Sequence, residues 1–523
     1  MNLIRRFLLF AGLLFATARC ASTYVPELDP GLKSSLQPKD FRAHVLMFDS
    51  LGGMRDPIAD DKAPQNVPAL GFRTLDKQQV TDYIQNMMQE IEKHRRKYGS
   101  VKVLFFFHGG LNSRREAIKR AAEHITKMAH DEPDLYPIFV NWQTSLYSSY
   151  WDHLWWVHKG HQTPRWSAFP LAVGEAGGDL IRTLIESPVA AYLHYEDRYR
   201  SINERKELVL PFAGVTEECS SSLDFREGKL DLKRPSVVLD GAQSAIFFPA
   251  TLLGSGLLDA VGGNAWGAMI YTSERLFYTN QEMHHPYDYI PNVAGSGGFP
   301  MFLDALAGAV GPQDDITIVA HSAGAIVANR LIANYPRLPI HNLIYMAPAC
   351  TIDEVMPGGK ITKWLAAQSA ETGDRNLYIL ALHEQSEFEE SHVWGLAPRG
   401  SLLVWLDEYI QPKSSEFGGM MLGRARNLRL HAHLIPCPIQ KQVHITAFND
   451  DPSAKPSEQP QHHGDFGDLP YWRPDMRQPK LDGVEQICLR TKLDDPTCAN
   501  HAPAARAPAA PSSSSPRAVP APH

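Results

Sequence analysis

Residues 316–331 constrain the fold most strongly, because their pattern passes from strand to helix with almost no loop between the two. The stretch reads ITIVAHSAGAIVANRL, a β-branched apolar run followed by a helical pattern that begins at Gly324. Ala320, Ala323 and Gly324 are small, so a strand and a helix can approach each other closely around Ser322. The stretch therefore predicts a strand-turn-helix unit with a serine at its turn.

Strand and helix patterns alternate on both sides of this unit. Before it, strand patterns cover 43–48, 101–107 and 137–141, and helix patterns cover 76–98 and 113–129. Later helix patterns cover 299–310, 324–335 and 401–409, and later strand patterns cover 315–320, 342–346, 376–382 and 443–448. This order predicts an α/β fold with a mostly parallel central sheet and helices on both faces.

The interval at 142–298 breaks the alternation. It is rich in aromatic and short apolar segments, with a charged stretch at 196–207 between them. We interpret it as a large lid-like insertion within a domain that spans 40–490. Its aromatic and leucine clusters could face a lipid-like substrate or a membrane surface, or they could form the insertion's own core.

The two ends of the chain differ in composition from the rest. Two arginines, an apolar run at 7–15 and the small-residue stretch 16–18 predict a secretory signal peptide over 1–18, with cleavage at or before 22. A lipid anchor at Cys20 is the alternative, although Arg19 precedes that cysteine. Residues 499–523 are mostly Ala, Pro and Ser and predict a disordered tail.

An exported chain can form disulfides, because the compartments it enters are oxidising. Cys488 and Cys498 flank a short polar loop and are the pair that we predict. Cys350 lies at the end of a strand pattern, and we expect it to be a buried, free thiol.

The stretch Ala320-His321-Ser322-Ala323-Gly324 resembles the nucleophile elbow of the α/β-hydrolase superfamily, whose pattern is G-x-S-x-G. Ala320 departs from that pattern, because it stands where the first glycine is usual. The resemblance implies that Ser322 is a nucleophile and that the N–H of Ala323 faces the oxyanion. A serine hydroxyl is a weak nucleophile, so this chemistry requires a base beside the turn.

His108-Gly109-Gly110-Leu111 follows a strand pattern and precedes a helix pattern. It resembles the H-G-G loop of the same superfamily, whose backbone N–H groups complete the oxyanion hole. The resemblance implies that Gly110 or Leu111 supplies the second donor and that His108 is structural. A plain glycine turn is the alternative interpretation.

The family order is serine, acid, histidine, which implies a base after the last strand. His462 and His463 follow the strand pattern at 443–448, and we select His463 with His462 as the alternative. Small and apolar residues, among them Phe466, follow His463 and could pack against its ring. His444 lies within the strand pattern and is predicted to be structural.

The acid orients the histidine and stabilises its imidazolium form. Glu387 lies a few residues beyond the strand pattern at 376–382 and is the residue that we select. Glu384 in the same loop and Asp353 after the preceding strand remain alternatives.

Together these expectations describe a secreted or periplasmic serine hydrolase that cleaves carboxylic esters and resembles esterases and lipases. The motifs do not separate ester from amide or thioester cleavage, and a non-catalytic cell-envelope binding protein is a further alternative. The resemblance implies no metal and no cofactor, and it implies an acyl substrate as partner. A net charge of −7 and the lack of a long basic run argue against nucleic-acid binding.

Overall fold

The computed structural model describes residues 41–57, 75–110, 114–142, 144, 149–150, 154, 157–158, 161–162, 178–179, 223–227, 262–278, 297–368, 374–390, 400–410, 419–448, 458–478 and 485–486. The predicted signal peptide, the predicted tail, Leu111 and the predicted pair Cys488 and Cys498 lie outside these residues. So does most of the predicted insertion.

The described strands are β1 (Val45–Phe48), β2 (Met54–Arg55), β3 (Lys102–Phe107), β4 (Leu135–Asn141), β5 (Val157–His158), β6 (His161–Gln162), β7 (Asp224–Glu227), β8 (Asp315–His321), β9 (Ile340–Met346), β10 (Asn376–Ala381), β11 (Val443–Ala447) and β12 (Glu485–Gln486). Ten of them form one sheet in the order β12-β7-β11-β10-β9-β8-β3-β4-β1-β2. The strands from β7 to β1 in that order are parallel. Antiparallel β2 and β12 lie at the two edges.

The described α-helices are α1 (Lys77–Tyr98), α2 (Arg114–Asp131), α3 (Gly263–Arg275), α4 (Gly298–Ala309), α5 (Gly324–Asn334), α6 (Lys360–Ala366), α7 (Glu384–Glu389), α8 (Leu402–Trp405), α9 (Ala425–His431) and α10 (Pro474–Arg477). A π-helical turn at Leu406–Ile410 continues α8, and a 3-10 helix covers His463–Asp468. The helix pattern at 401–409 therefore corresponds to a short α-helix and a π turn.

Helix α1 shows how local sequence sets these elements. Asp76 caps its N-terminus in a capping box with Gln79, and Gly99 ends it with a φ of 85°. Its apolar residues recur on one face and are buried against the sheet: Val80, Tyr83, Ile84, Met87 and Ile91.

Helices cover both faces of the sheet. The side chains of β3 show this, since they alternate between two apolar cores, one on each face. Phe105 and Phe107 lie in the core that also contains residues of α1, α4, α5 and α6. Leu104 and Phe106 lie in the core that contains residues of α2, α3, α8 and the 463–472 segment. The prediction of an α/β fold with a mostly parallel sheet is confirmed.

Part of the predicted insertion belongs to this architecture. Strand β7 pairs in parallel with β11 and so extends the sheet, and α3 contributes Trp266 and Met269 to the second core. The insertion as a lid, and the limits of the domain, stay predictions.

Two further features concern cysteines and membranes. Cys350 is buried and free, as predicted. Cys437 is disulfide-bonded, and its partner cysteine lies outside the described residues. None of the helices in the described segments is both long enough and apolar enough to cross a membrane.

Candidate active site

Strands β3 and β8 are neighbours, yet the connections that follow them lead in opposite directions. Helix α2 follows β3 and leads to β4 on one side, whereas α5 follows β8 and leads to β9 on the other. In open parallel sheets, a crevice forms at the carboxyl ends of the strands where the direction switches, and ligands commonly bind there. Ser322 and the loop His108-Gly109-Gly110 both lie at this point.

Ser322 follows β8 directly and has a φ of 50°, in the left-handed region. This conformation costs a non-glycine residue roughly 1–2 kcal/mol, because its Cβ approaches a carbonyl oxygen. The backbone N–H of Ser322 donates to the carbonyl oxygen of Met346 at 2.9 Å. The carbonyl oxygen of Ser322 accepts from the N–H of Ala349 at 3.0 Å and from that of Ala325 at 3.1 Å. Strained backbone held by its surroundings is concentrated at functional sites.

Helix α5 begins pressed against the end of β3. A Cβ on Gly324 would lie 2.4 Å from the carbonyl oxygen of Phe107, a distance that no side chain permits. Glycine at this position therefore lets the helix start directly behind the serine.

The loop after β3 lies against the serine turn. A Cβ on Gly109 would lie 2.8 Å from Nδ1 of His321 and 3.0 Å from Cβ of Ser322. A Cβ on Gly110 would lie 3.3 Å from Cβ of Ala323. The two glycines are what allow the loop and the turn to come this close.

His108 fixes the backbone of this loop. The N–H of Trp142 donates to its Nε2 at 3.2 Å, so the proton is on Nδ1, which donates to the oxygen of Gly109 at 2.8 Å. Thr144 donates to the same oxygen at 3.2 Å. Burial lowers the pKa of His108 to about 4, which keeps the ring neutral. Because C=O and N–H point in opposite directions across a trans peptide, these bonds also set the direction of the Gly110 N–H.

The structure brings His463, and not His462, to the serine turn. His463 is buried, and its ring centroid lies 5.1 Å from that of His321, the residue before Ser322. The side chain of His462 is 61% exposed and faces Asp465, with Nδ1 and Oδ2 3.3 Å apart.

The hydroxyl of Ser322 is fully buried and has no hydrogen-bond partner among the described residues. The hydrogen bond expected between Ser322 and His463 is therefore not formed in this structure. Hydrogen bonds between catalytic groups commonly tighten only in the complex with substrate.

Phe466 packs near the serine turn on the side of His463. It is fully buried, its ring centroid lies 6.3 Å from that of His321, and it also contacts Phe448 and Tyr471. Phe466, which was expected to pack against the ring of His463, thus packs near the ring of His321.

Glu387 lies on α7, directly after β10, and is fully buried. Its Oε2 accepts from the hydroxyl of Ser401, and its Oε1 has no hydrogen-bond partner among the described residues. Burial raises the pKa of the Glu387 carboxyl well above its ordinary value, the charge of Glu390 raises it further, and the Ser401 hydrogen bond opposes both.

Glu384 is engaged elsewhere. It forms a buried ion pair with Arg424, which also binds Asp407 at 2.7 Å. Asp407 accepts further hydrogen bonds from the N–H of Met421 and from Asn427. Because this network already occupies Glu384, that carboxylate is a weaker candidate than Glu387 for the acid.

Asp353 lies in a short 3-10 helix, Ile352–Val355, which follows β9. Its neighbours Ile352 and Val355 belong to the first core. The contacts that the structure describes link neither Asp353 nor Glu387 to Ser322 or His463.

His444 lies within β11, as expected, and away from the serine turn. Its Nδ1 lies 3.1 Å from Asp224 on β7, and its ring stacks on Tyr378 with centroids 4.9 Å apart. These contacts join neighbouring strands of the sheet.

Three side chains at this site were missed by the sequence reasoning: His321, Glu390 and Ser401. His321 donates from Nε2 to the carbonyl oxygen of His463 at 2.9 Å, and the N–H of His463 donates to Glu390 at 3.1 Å. In the sequence, only the place of His321 inside the serine motif pointed to a role at the site. Glu390 and His321 lie 73 and 142 positions from His463, so their contacts with it form only on folding.

Within the described part of the chain, no group of three or more His, Cys, Asp or Glu side chains is arranged to hold a metal ion. A scan against protein-family models, a search of curated proteins and a search of solved structures each found no match to the chain.

Proposed function

We propose that this chain is an exported serine hydrolase of the α/β-hydrolase type that cleaves carboxylic esters through an acyl-enzyme. The observation that carries the proposal is the setting of Ser322. It has a φ of 50° between β8 and α5 and lies against the His108-Gly109-Gly110 loop. The ring centroid of His463 lies 5.1 Å from that of His321, the residue before Ser322.

The reaction follows from these groups. The Ser322 oxygen attacks the acyl carbon, and His463 takes the hydroxyl proton. The tetrahedral intermediate then expels the alcohol, which receives that proton from His463, and leaves an acyl-serine. Water, deprotonated by His463, attacks the acyl-serine, and the serine oxygen leaves with the proton.

The negative charge on the tetrahedral intermediate needs backbone donors. We assign this role to the N–H of Ala323, at the start of α5, and to that of Gly110 or Leu111. The first N–H groups of a helix have no acceptor within it. The bonds that hold the Gly109 carbonyl support a fixed direction for the Gly110 N–H.

Glu387 is our candidate for the acid that orients His463. Three features support it: its place after β10, its complete burial, and a carboxylate oxygen with no partner among the described residues. The positive charge that forms on His463 during the reaction would favour the ionised form of this carboxyl.

Apolar side chains surround the turn and favour an uncharged acyl group. Trp266 and Met269 of α3 share a core with Ala323 and Phe466, and the Met269 sulfur would lie 3.7 Å from a Cβ on Gly110. Trp266 and Met269 lie in the predicted insertion, so we propose that the insertion contributes to acyl selectivity.

Export is part of the proposal. The disulfide at Cys437 supports it, because disulfides persist mainly in oxidising compartments. N-terminal sequencing of the mature protein tests it: a start between residues 19 and 23 is expected, and an intact Met1 would contradict it.

The decisive experiment is labelling with a fluorophosphonate probe, followed by mapping of the modified peptide. We expect the wild type to be labelled at Ser322 and Ser322→Ala to remain unlabelled. An unlabelled wild type would reject Ser322 as nucleophile and favour the non-catalytic binding protein. A variant labelled as the wild type is would reject Ser322 and point to a different nucleophile.

Substrate class needs a second assay. p-Nitrophenyl esters of increasing chain length, compared with p-nitroanilides of matched acyl groups, separate esterase from amidase activity. Preferential turnover of the anilides would replace the esterase with an amidase on the same site.

A further inference from the structure

We propose that His321 and Glu390 are positioning residues that clamp the peptide backbone of His463 from both sides and so direct its ring at Ser322. The proposal rests on the proposed function, since His463 is the base there. Neither residue contacts the reacting atoms in this proposal.

The first contact holds the carbonyl of His463. Nε2 of His321 lies 2.9 Å from that oxygen. A carbonyl oxygen only accepts hydrogen bonds, so Nε2 carries the proton. Complete burial lowers the pKa of His321 well below its ordinary value, so the ring is neutral and this tautomer is the relevant one.

The second contact holds the amide of His463. Its N–H donates to Oε2 of Glu390 at 3.1 Å. Glu390 is itself held, because its carbonyl oxygen accepts from the N–H of Gly400 at 2.8 Å. Since Gly400 precedes Ser401, the same segment supports both Glu390 and Glu387.

The two contacts come from separate segments of the chain. His321 ends β8 and precedes Ser322, whereas Glu390 follows α7 after β10. The base is therefore tied through His321 to the turn that carries the nucleophile, and through Glu390 to the segment that carries the proposed acid. A clamp on the backbone fixes the position of Cα, and with it the origin of the ring.

Small displacements matter for this chemistry. A misplacement of about 1 Å between reacting groups can cost about 100-fold in rate. Because the clamp acts on the alignment of His463 and not on substrate contacts, its loss should lower kcat and leave KM nearly unchanged.

The experiment uses the full-length protein with two pairs of variants. His321→Gln and Glu390→Gln each keep a group of the required type, an amide donor or a carbonyl acceptor. His321→Leu and Glu390→Ala remove it. His462→Gln, on the exposed neighbour, is the control. The readouts are the labelling rate with a fluorophosphonate, kcat and KM for p-nitrophenyl acetate, and the urea midpoint.

We expect His321→Leu and Glu390→Ala to lower kcat and the labelling rate about 10- to 100-fold, with KM within about twofold. The glutamine variants should stay within about fivefold of the wild type, because they rescue the contact. The double variant should lose less than the product of the two single losses, because both contacts hold the backbone of the same residue, His463.

The outcomes separate the two proposals. A wild type that is not labelled at Ser322 rejects the proposed function. A labelled wild type with Glu390→Ala as active as Glu390→Gln rejects the clamp alone, as does a loss confined to KM. If His321→Leu fails to fold, the two Glu390 variants still decide, because Glu390 is only partly buried.

Discussion

The hydroxyl of Ser401 donates to Oε2 of Glu387, and both side chains are fully buried. Ser401 also caps α8, because its oxygen accepts from the N–H of Leu403 at 3.1 Å. The start of a helix therefore holds the carboxyl that we propose as the acid. Burial stabilises the uncharged form of this carboxyl, whereas the proposed role as acid of the triad requires the charged form.

Glu387→Gln should lower kcat by about 100-fold or more, because a neutral amide cannot stabilise the imidazolium.

The same variant should become more stable relative to the wild type as pH rises. The folded-state pKa of Glu387 is raised, so its contribution to stability is present below the ordinary value and is lost as pH rises toward the folded value. Glutamine does not titrate. Urea unfolding at pH 5 and pH 8 should show the variant gaining on the wild type at pH 8, and equal differences at both pH values would contradict this.

Glu390→Gln should also shift the pH dependence of turnover. The charge of Glu390 raises the pKa of Glu387, as does Glu384, whereas Arg424 lowers it. Removing the charge of Glu390 therefore lowers that pKa, and the acidic limb of the kcat profile should move to lower pH. The profile for p-nitrophenyl acetate hydrolysis between pH 4 and 9 measures the shift. An acidic limb that moves upward would show that Glu390 does not act on Glu387.

Ser322→Gly and Ser322→Ala both remove the hydroxyl, and both should be inactive. They differ in backbone freedom, since only glycine adopts a φ of 50° without strain. We expect the glycine variant to be more stable than the alanine variant by up to about 1 kcal/mol, after its larger loss of chain entropy is included. Urea unfolding of the two proteins provides the measurement. A more stable alanine variant would show that the turn is not strained.

Gly109→Ala should reduce turnover strongly, because its Cβ would overlap Nδ1 of His321 and press on Ser322. Gly464→Ala is the matched control beside His463, since a Cβ there meets no atom within 4 Å. Kinetics with p-nitrophenyl acetate should show a loss of at least about tenfold for the first variant and little change for the second. Equal activity of the two variants would mean that the loop does not approach the nucleophile.

Arg424→Met should destabilise the fold by about 3–5 kcal/mol at pH 7, because it leaves Glu384 and Asp407 as buried carboxylates without their cation. Burial already raises the pKa of Asp407 to about 6, so the loss should be smaller at pH 5, where this carboxyl is protonated. The control is Arg473→Met, which removes an exposed ion pair with Asp475 and should cost less than about 1 kcal/mol. Similar costs for the two variants would argue against a structural role of the network.

Acid should destabilise the chain partly through His108 and His124. Burial lowers both pKa values from 6.5 to about 4. A histidine whose pKa is lower in the folded than in the unfolded protein stabilises the fold fully above its unfolded-state pKa. That contribution is lost as pH falls toward the folded-state pKa of about 4. His124→Gln keeps a donor for the oxygen of Gly467 and cannot be protonated, so its loss of stability between pH 7 and pH 4.5 should be smaller. Exposed His130→Gln serves as the control, and identical losses in all three proteins would contradict the prediction.

The local sequence around Ser322 was sufficient to predict the turn, because the turn depends on short-range properties: the period of apolar residues and the small size of Ala320 and Gly324. A glycine loop beside the turn was expected only from the resemblance to the α/β-hydrolase superfamily. The α/β fold followed from the alternation alone, because parallel neighbours need crossover connections. The insertion pattern did not reveal that β7 joins the sheet, since β7 is short and its pairing with β11 is long-range.

The sequence by itself thus determined a serine at a strand-turn-helix junction. Only the tertiary structure distinguished His463 from His462, because adjacent residues of one type differ only in where their side chains point. It also paired Glu384 with Arg424, whereas Glu387 as the acid stays a proposal. It alone brought His321 and Glu390 to the backbone of His463, across 142 and 73 residues. Local periodicity specifies elements, whereas burial and long-range hydrogen bonds specify which of several similar side chains meet at the site.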